Sequence, residues 1–383
     1  MKTNPHYQEL KREYIFPIIE RKLDELKAKN LARAVINLGI GDVALPLAPS
    51  IVSAVCKAVE EMGQTTKGYA PAEGYLFLRE AIAAHELAHV GIGPEEIFVS
   101  DGANSDAANI QELFSVHCTV GITDPTYPVY LDTNIMAGRG DKILSLPCTQ
   151  ENRFIPQLPD QHCDLVYLCS PNNPTGVAMT RDDMRMWVDW AKKTGAVLLY
   201  DNAYEAFISS PDVPKTIFEI DGAKEVAIEF RSFSKSAGFT GLRCAYTVLP
   251  KGPLHALWGR RQSTKFNGVA YPIQRGAEAV FSPQGRKETR AQVASYLAQA
   301  HTLRSGLQEL GYTSAGGVDA PYIWWKTPQG FTSWEFFDLL LTRCNLISIP
   351  GKGFGPHGEG YVRLSTFTTA ENAQEALRRI KEI

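Results

Sequence analysis

Residues 164–204 read DLVYLCSPNNPTGVAMTRDDMRMWVDWAKKTGAVLLYDNAY. Two apolar runs, 164–171 and 196–204, flank a segment with helical periodicity. Thr180 is placed to cap that helix with Asp183 three residues on, and Met184, Trp187, Val188 and Ala191 fall on one face. Gly195 is the expected stop. A strand–helix–strand unit wants two parallel strands. Runs that are apolar throughout, rather than alternating, want burial on both faces of a sheet.

Outward from this unit the same rhythm continues. Further strand-like runs are EIFVSDGA (96–103), TVGITDP (119–125), EVAIEFRSFSK (225–235) and LRCAYTVLP (242–250). Helical stretches separate them, which predicts a parallel or mixed sheet covered on both sides. Past residue 280 the pattern changes. A long amphipathic helix is predicted over 287–310, with Val293, Tyr296, Leu297, Ala300, Leu303 and Leu307 on one face. Strands follow at 321–327, 345–351 and 360–366, and a last helix opens on the capping box Thr368–Glu371. The expected class is α/β, with a large domain and a smaller α+β one.

The chain has 383 residues, 39 Lys and Arg against 42 Asp and Glu, and 44% hydrophobic residues. At roughly 150 residues per domain this allows two or three domains. The composition excludes a disordered or fibrous chain, and the near-neutral balance argues against nucleic acid or an anionic membrane as partner. Seven scattered cysteines without a C-x-x-C pair read as reduced thiols. A charged first thirty residues and no apolar run near roughly 18 residues predict a soluble, cytoplasmic protein.

The predicted strands end in polar clusters, and ligands of open α/β sheets sit at such carboxyl edges. Ser100–Ser105 is a small-residue turn entering a helix, where free N–H groups suit an anion. Tyr127 sits in the turn Asp124–Pro128, and two amides lie in the turn Ser170–Gly176. Asp201 closes one strand, and Lys235 follows another with Arg243 eight residues on. Pyridoxal 5'-phosphate accounts for all five clusters together. It needs an amine for its carbonyl, a carboxylate for its ring nitrogen, donors for its phenolic oxygen, an aromatic cover and a cationic phosphate cup.

The ordered set DPTYP, SPNNPTG, YDNAY and SFSKSAGFTGLR resembles the fold-type-I pyridoxal-phosphate aminotransferases. YIFP, GIGD, GFTGLR, FNGVA and GFGPHGEGYVRLS are similar to the LL-diaminopimelate aminotransferase family. The resemblance spans residues 14 to 366 and implies a large domain with a mostly parallel seven-stranded sheet plus a smaller α+β domain. It implies that Lys235 carries the cofactor and moves the substrate Cα proton, and that Asp201 pairs with the ring nitrogen. Asn173 and Tyr204 would hold the phenolic oxygen, and Tyr127 would stack on the ring. Ser232, Ser234, Arg243 and the N–H groups of Ala103 and Asn104 would hold the phosphate. Arg363 would take the substrate carboxylate as a bidentate fork, Gly41 would admit the substrate, and Tyr14 would help close the entrance. Tyr69 and Asn267 would reach in from the second subunit of a homodimer. The implied reaction transfers an amino group between LL-diaminopimelate and 2-oxoglutarate, giving tetrahydrodipicolinate for lysine and cell-wall synthesis. The alternatives are a broader aromatic, alanine or aspartate transaminase and another pyridoxal-phosphate lyase. The chain departs from the family at Asn104, where a lysine is usual, and at Ala72, where a glutamate is usual and Glu73 comes one residue late. The smaller domain is expected to be discontinuous, residues 1–44 joining 281–383 around a large domain of 45–280.

Two motifs point elsewhere. His85-Glu86-Leu87-Ala88-His89 matches the H-E-x-x-H of zinc proteases, with Glu112 as a distant third ligand. With Leu78 and Ile82 on the same face it reads as an ordinary buried helix edge, and the extended H-E-x-x-H-x-x-G-x-x-H form fails at Ile92 and Glu96. Gly351-Lys352-Gly353-Phe354-Gly355 is glycine-rich, but a strand rather than a helix is predicted next. It reads as a mobile loop over the site and not as a nucleotide cradle.

Overall fold

The computed structural model describes residues 1–10, 15–27 and 34–383. In chain order the strands are β1 (Ile36–Asn37), β2 (Ile97–Ser100), β3 (Val120–Asp124), β4 (Ile143–Pro147), β5 (Leu165–Cys169), β6 (Val197–Asp201) and β7 (Ala227–Ser232). They continue as β8 (Ala245–Val248), β9 (Ser314–Gly316), β10 (Tyr322–Lys326), β11 (Leu346–Ile347), β12 (Ile349–Pro350) and β13 (Tyr361–Ser365).

Seven strands form the main sheet in the order β2-β8-β7-β6-β5-β3-β4. The pairs from β4 through β7 are parallel, and β8 is antiparallel to both β7 and β2. The opening stretch therefore supplies the centre of the sheet. All five residues of β5 are buried, and they divide by period two. Val166 and Leu168 enter one core with Trp187, Val188 and Ala191, whereas Leu165, Tyr167 and Cys169 enter the core on the other face. The connecting helix, Arg181–Thr194, has the predicted capping box, Thr180 with Asp183, and ends on Gly195 at φ 77. β4 was not predicted. It is one of the two edge strands, only Leu146 in it is buried, and its five residues lack the continuous apolar signature of the inner strands.

The rest of the chain packs around a smaller sheet, β12-β13-β10-β9, and the pair β1–β11. The long helix begins at Pro283, capped by Ser282, four residues before the predicted start; all the expected face except half-buried Leu297 is buried. The predicted strand 345–351 is two strands in different sheets. The last helix, Ala370–Ile380, is capped by Thr369 rather than Thr368, because it is the Thr369 hydroxyl that accepts from Asn372 N–H.

Two further expectations are corrected. The segment Gly351–Gly358, expected as an irregular loop over the site, is a packed pair of 3₁₀ turns. Thr126 N–H bonds Phe354 O at 2.9 Å, His357 bonds Asp124 at 2.9 Å, and Gly351 has no room for a Cβ beside Gly358 O. The H-E-x-x-H motif is not on a regular α-helix: 83–87 form a π turn and 88–90 a 3₁₀ turn. His85 bonds Arg286, His89 faces Glu219 at 3.7 Å, and Glu112 bonds Arg261 and Lys265. Among the described residues no group of three His, Cys, Asp or Glu could hold a metal ion. None of their helices is long and apolar enough to cross a membrane, and all seven cysteines are free.

Candidate active site

A cavity of about 380 Å³ opens at the carboxyl ends of β5, β6 and β7, where the sequence placed its polar clusters. Lys235, Asp201, Asn173, Tyr204, Tyr127, Arg243 and Arg363 line it, with Gly41, Ala103, Asn104, Ser232 and Ser234. A larger cavity of about 520 Å³ lies behind Ser232 but lacks Lys235, Asp201 and Arg363.

Lys235 lies in the single turn Phe233–Ser236 at the end of β7, opened by Ser232, whose hydroxyl accepts from Ser234 N–H at 3.1 Å. Its amine donates to Gly41 O and sits 5.6 Å over the Phe367 ring. Burial lowers its pKa to about 8, opposed by nearby Asp42 and assisted by Arg363 and Arg243. A fraction of the amine is thus uncharged and nucleophilic near neutrality.

The segment Ile36–Gly41 reaches the site because β1 runs parallel to β11 and Leu38 O accepts from Ser365 N–H at 2.6 Å. This brings Gly39 O to Arg363 Nη2 at 2.7 Å. At Gly41 the missing side chain makes room for the Tyr322 hydroxyl, into which a Cβ would run. Arg363 belongs to β13, opposite Trp324 of β10, and its guanidinium lies over the Tyr322 and Phe354 rings at 4.5 and 4.9 Å. Its Nη1 donates to Asn173 Oδ1 at 2.6 Å, and Asn173 is presented by a turn in which Asn172 Oδ1 accepts from Thr175 N–H.

Asp201 ends β6 on the face it shares with Leu199, level with Cys169 of β5. One oxygen accepts from Tyr130 at 2.5 Å and the other from Ala203 N–H at 3.1 Å. Burial raises its pKa, and the two hydrogen bonds act against that. Tyr204 bonds Tyr322 at 2.9 Å, and burial pushes its phenol well above the usual range. Tyr127 donates to Asn104 Oδ1 at 2.9 Å. Arg243 adopts φ 63, a costly backbone state for a residue with a side chain, and its Nη2 fills the space a Cβ on Gly102 would need.

The charges are the informative feature. Arg363 is 2% exposed and Asp201 8% exposed, yet among the described residues neither has an ion-pair partner. Arg363 Nε is buried and has no hydrogen-bond partner among the described residues. Unpaired buried charges are expensive unless a ligand answers them. A ligand set with a cationic ring nitrogen near Asp201 and a carboxylate near Arg363 fits this arrangement.

Some expected residues are not brought into the cavity. Tyr69 is 86% exposed and Asn267 is exposed, both away from it. Tyr14 lies outside the described residues. Ala72 and Glu73 do not line the cavity, and the Glu73 carbonyl is bonded to Val99 N–H. Sequence reasoning missed Tyr130, Tyr322, Asp42, Cys169 and Thr240. Tyr130 had a usable signal, since it stands one helical turn after Tyr127; Tyr322 was hidden inside an apolar strand.

The family profile described as aminotransferase class I and II matches residues 33–380. The chain is 52% identical to the LL-diaminopimelate aminotransferase of Lachnospira eligens, over 100% of both chains. Its structure is similar to that of the L,L-diaminopimelate aminotransferase of Chlamydomonas reinhardtii, with a TM-score of 0.94, 43% identity, and 100% and 98% of the two chains covered. A Thermus thermophilus aspartate aminotransferase variant shares the fold, with a TM-score of 0.88 at 21% identity and 100% of both chains covered.

Proposed function

The chain belongs to the class I and II aminotransferases, and from that premise we propose that it uses pyridoxal 5'-phosphate to exchange an amino group between LL-diaminopimelate and 2-oxoglutarate. The product of the deaminated donor is tetrahydrodipicolinate, an intermediate for lysine and cell-wall synthesis. The observation that carries the cofactor and substrate is the pair of unanswered buried charges, Asp201 and Arg363, flanking Lys235 in one cavity. The choice of donor rests on the relative of 52% identity, whose printed name gives that activity.

In this reading Lys235 holds the cofactor through its amine, Asp201 faces the ring nitrogen, and Tyr204 with Asn173 faces the phenolic oxygen. Ser232, Ser234, Arg243 and the N–H groups of Ala103 and Asn104 surround the phosphate, and Tyr127 covers the ring. The bound cofactor supplies an electron sink for the negative charge that develops at the substrate Cα. The anionic Asp201 keeps the ring nitrogen protonated. Arg363 fixes the α-carboxylate, which orients the Cα–H bond. The donor's amino group would displace Lys235, and the freed Nζ would take the Cα proton and return it on the far side of the transfer.

Tyr69 and Asn267, exposed here, serve the site of a second copy in a homodimer. The proposed division is a large domain of 45–280 and a small one of 1–44 with 281–383; the pairing of β1 with β11 supports it for Ile36 and Asn37. The site of action is the cytoplasm. The test is a donor panel with 2-oxoglutarate as acceptor. LL-diaminopimelate is expected to exceed meso-diaminopimelate, lysine and aromatic amino acids in kcat/KM. A panel led by aromatic amino acids or aspartate would overturn the specificity and leave the aminotransferase standing.

A further inference from the structure

Asp201 has a neighbour that none of the roles above uses. The last residue of β6 shares a sheet face with Leu199, and the helix Pro128–Met136 lies on that face. Tyr130 stands third in this helix, 1% exposed, and its hydroxyl donates to Asp201 Oδ2 at 2.5 Å. Its ring stacks on Tyr167 at 4.9 Å with 16° between planes and meets the edge of Tyr127 at 5.8 Å. Asn134 Nδ2 donates to the Tyr130 carbonyl at 2.8 Å, closing the turn beneath it. The ring is thus held in place, and beside Asp201 its hydroxyl also meets the Cys169 thiol.

We propose that Tyr130 is a positioning residue for Asp201: it fixes the carboxylate's orientation and favours its anionic form, so that the ring nitrogen opposite keeps its proton. The proposal rests on the pyridoxal phosphate reading above. The hydrogen bond opposes the effect of burial, which favours protonated Asp201. The phenol itself stays a donor, since burial and the adjacent Asp201 hold its pKa well above the usual value. The other titratable groups facing Asp201 are Cys169 on β5 and Tyr322 on β10; burial raises both, which keeps them uncharged. The remaining donor to Asp201, Ala203 N–H, does not titrate. Among the described residues, Tyr130 is therefore the side chain whose hydrogen bond favours the ionised form of this acid. It also ties Asp201 to Tyr127, the cover of the ring, through one helical turn.

The test uses the enzyme loaded with pyridoxal 5'-phosphate and follows its visible absorption against pH. Tyr130→Phe keeps the ring stack and removes the hydroxyl. A more basic Asp201 then draws the proton from the ring nitrogen, and the protonated form of the lysine-bound cofactor persists to higher pH. The midpoint is expected to rise by roughly one unit, with kcat and cofactor affinity each falling about tenfold and the donor KM changing less than about threefold. Placing 3-fluorotyrosine at 130, a stronger donor of nearly the same shape, is expected to lower the midpoint; it decides the matter if Tyr130→Phe fails to fold. Tyr167→Phe is the control. It removes a neighbouring buried hydroxyl, bonded to Ala107 O at 2.9 Å, and should lower the thermal midpoint while leaving the absorption midpoint unmoved. Unchanged midpoints in both Tyr130 variants, or an equal shift in Tyr167→Phe, overturn the proposal. A wild-type protein that gains no visible absorption from pyridoxal phosphate refutes the parent reading instead.

Discussion

Lys235 carries a cost that its function explains. Its pKa is lowered to about 8 chiefly by burial, against 10.5 for an ordinary lysine. Below about pH 8 both folded and unfolded chains hold the proton, so the folded state bears the full burden of a buried ammonium. Between about 8 and 10.5 the unfolded chain binds the proton and the folded chain does not, so stability rises with pH. Replacing the side chain with one that has no charge, Lys235→Met, should stabilise the cofactor-free protein by about 1–3 kcal/mol at pH 7, with the gain vanishing above about pH 10.5. Thermal melts at pH 7, 9 and 11 check this, while turnover should be lost at every pH. At this scale the sequence was most legible where one residue type has few other reasons to be present. Asp201 and Lys235 after buried strands, and Asn173 in its turn, all line one cavity. Tyr130 and Tyr322 were not legible, because a buried tyrosine at helical or strand spacing reads as core until the partner of its hydroxyl is known.

The turn after β5 shows how an element carries the site. Gly176 sits at φ 67, and a Cβ there would strike the Tyr322 carbonyl of β10 and approach Gly316. The glycine thus lets the Asn172–Gly176 turn close against the smaller sheet, which is what sets Asn173 against Arg363. Gly176→Ala combines a left-handed φ with a backbone collision and is expected to destabilise by about 3 kcal/mol. It should also raise the donor KM more than it lowers cofactor affinity, because Arg363 loses its alignment first; equilibrium unfolding and steady-state kinetics check both. Elements with a continuous apolar run or a complete cap were readable, as the helix from Arg181 to Thr194 shows. The edge strand β4 and the packed turns 351–358 were not. The strand is half-exposed and carries a weak apolar signal, and the turns depend on Asp124, a neighbour distant in sequence.

For the whole molecule, six strand runs were legible and the family resemblance implied the mostly parallel seven-stranded sheet, but the closure of the fold was not legible. β1 joins β11 across about three hundred residues, a contact that no local pattern announces. The proposed homodimer makes its own prediction at this scale. If Tyr69 serves the partner's site, Lys235→Ala and Tyr69→Ala proteins are each nearly inactive. Co-refolded in equal amounts they should recover about one quarter of wild-type activity, because half the dimers are mixed and each mixed dimer has one intact site. No recovery would assign Tyr69 to its own chain. Lys235, Asp201 and Arg363 as one site for a diamino diacid should support a half-reaction. LL-diaminopimelate is added, without a keto acid, to enzyme loaded with pyridoxal 5'-phosphate, and the visible absorption of the lysine-bound cofactor is followed. The expected result is complete loss of that absorption, one equivalent of donor consumed per site, and its return when 2-oxoglutarate is added. An absorption that stays unchanged with LL-diaminopimelate, in protein that does bind the cofactor at Lys235, would contradict it.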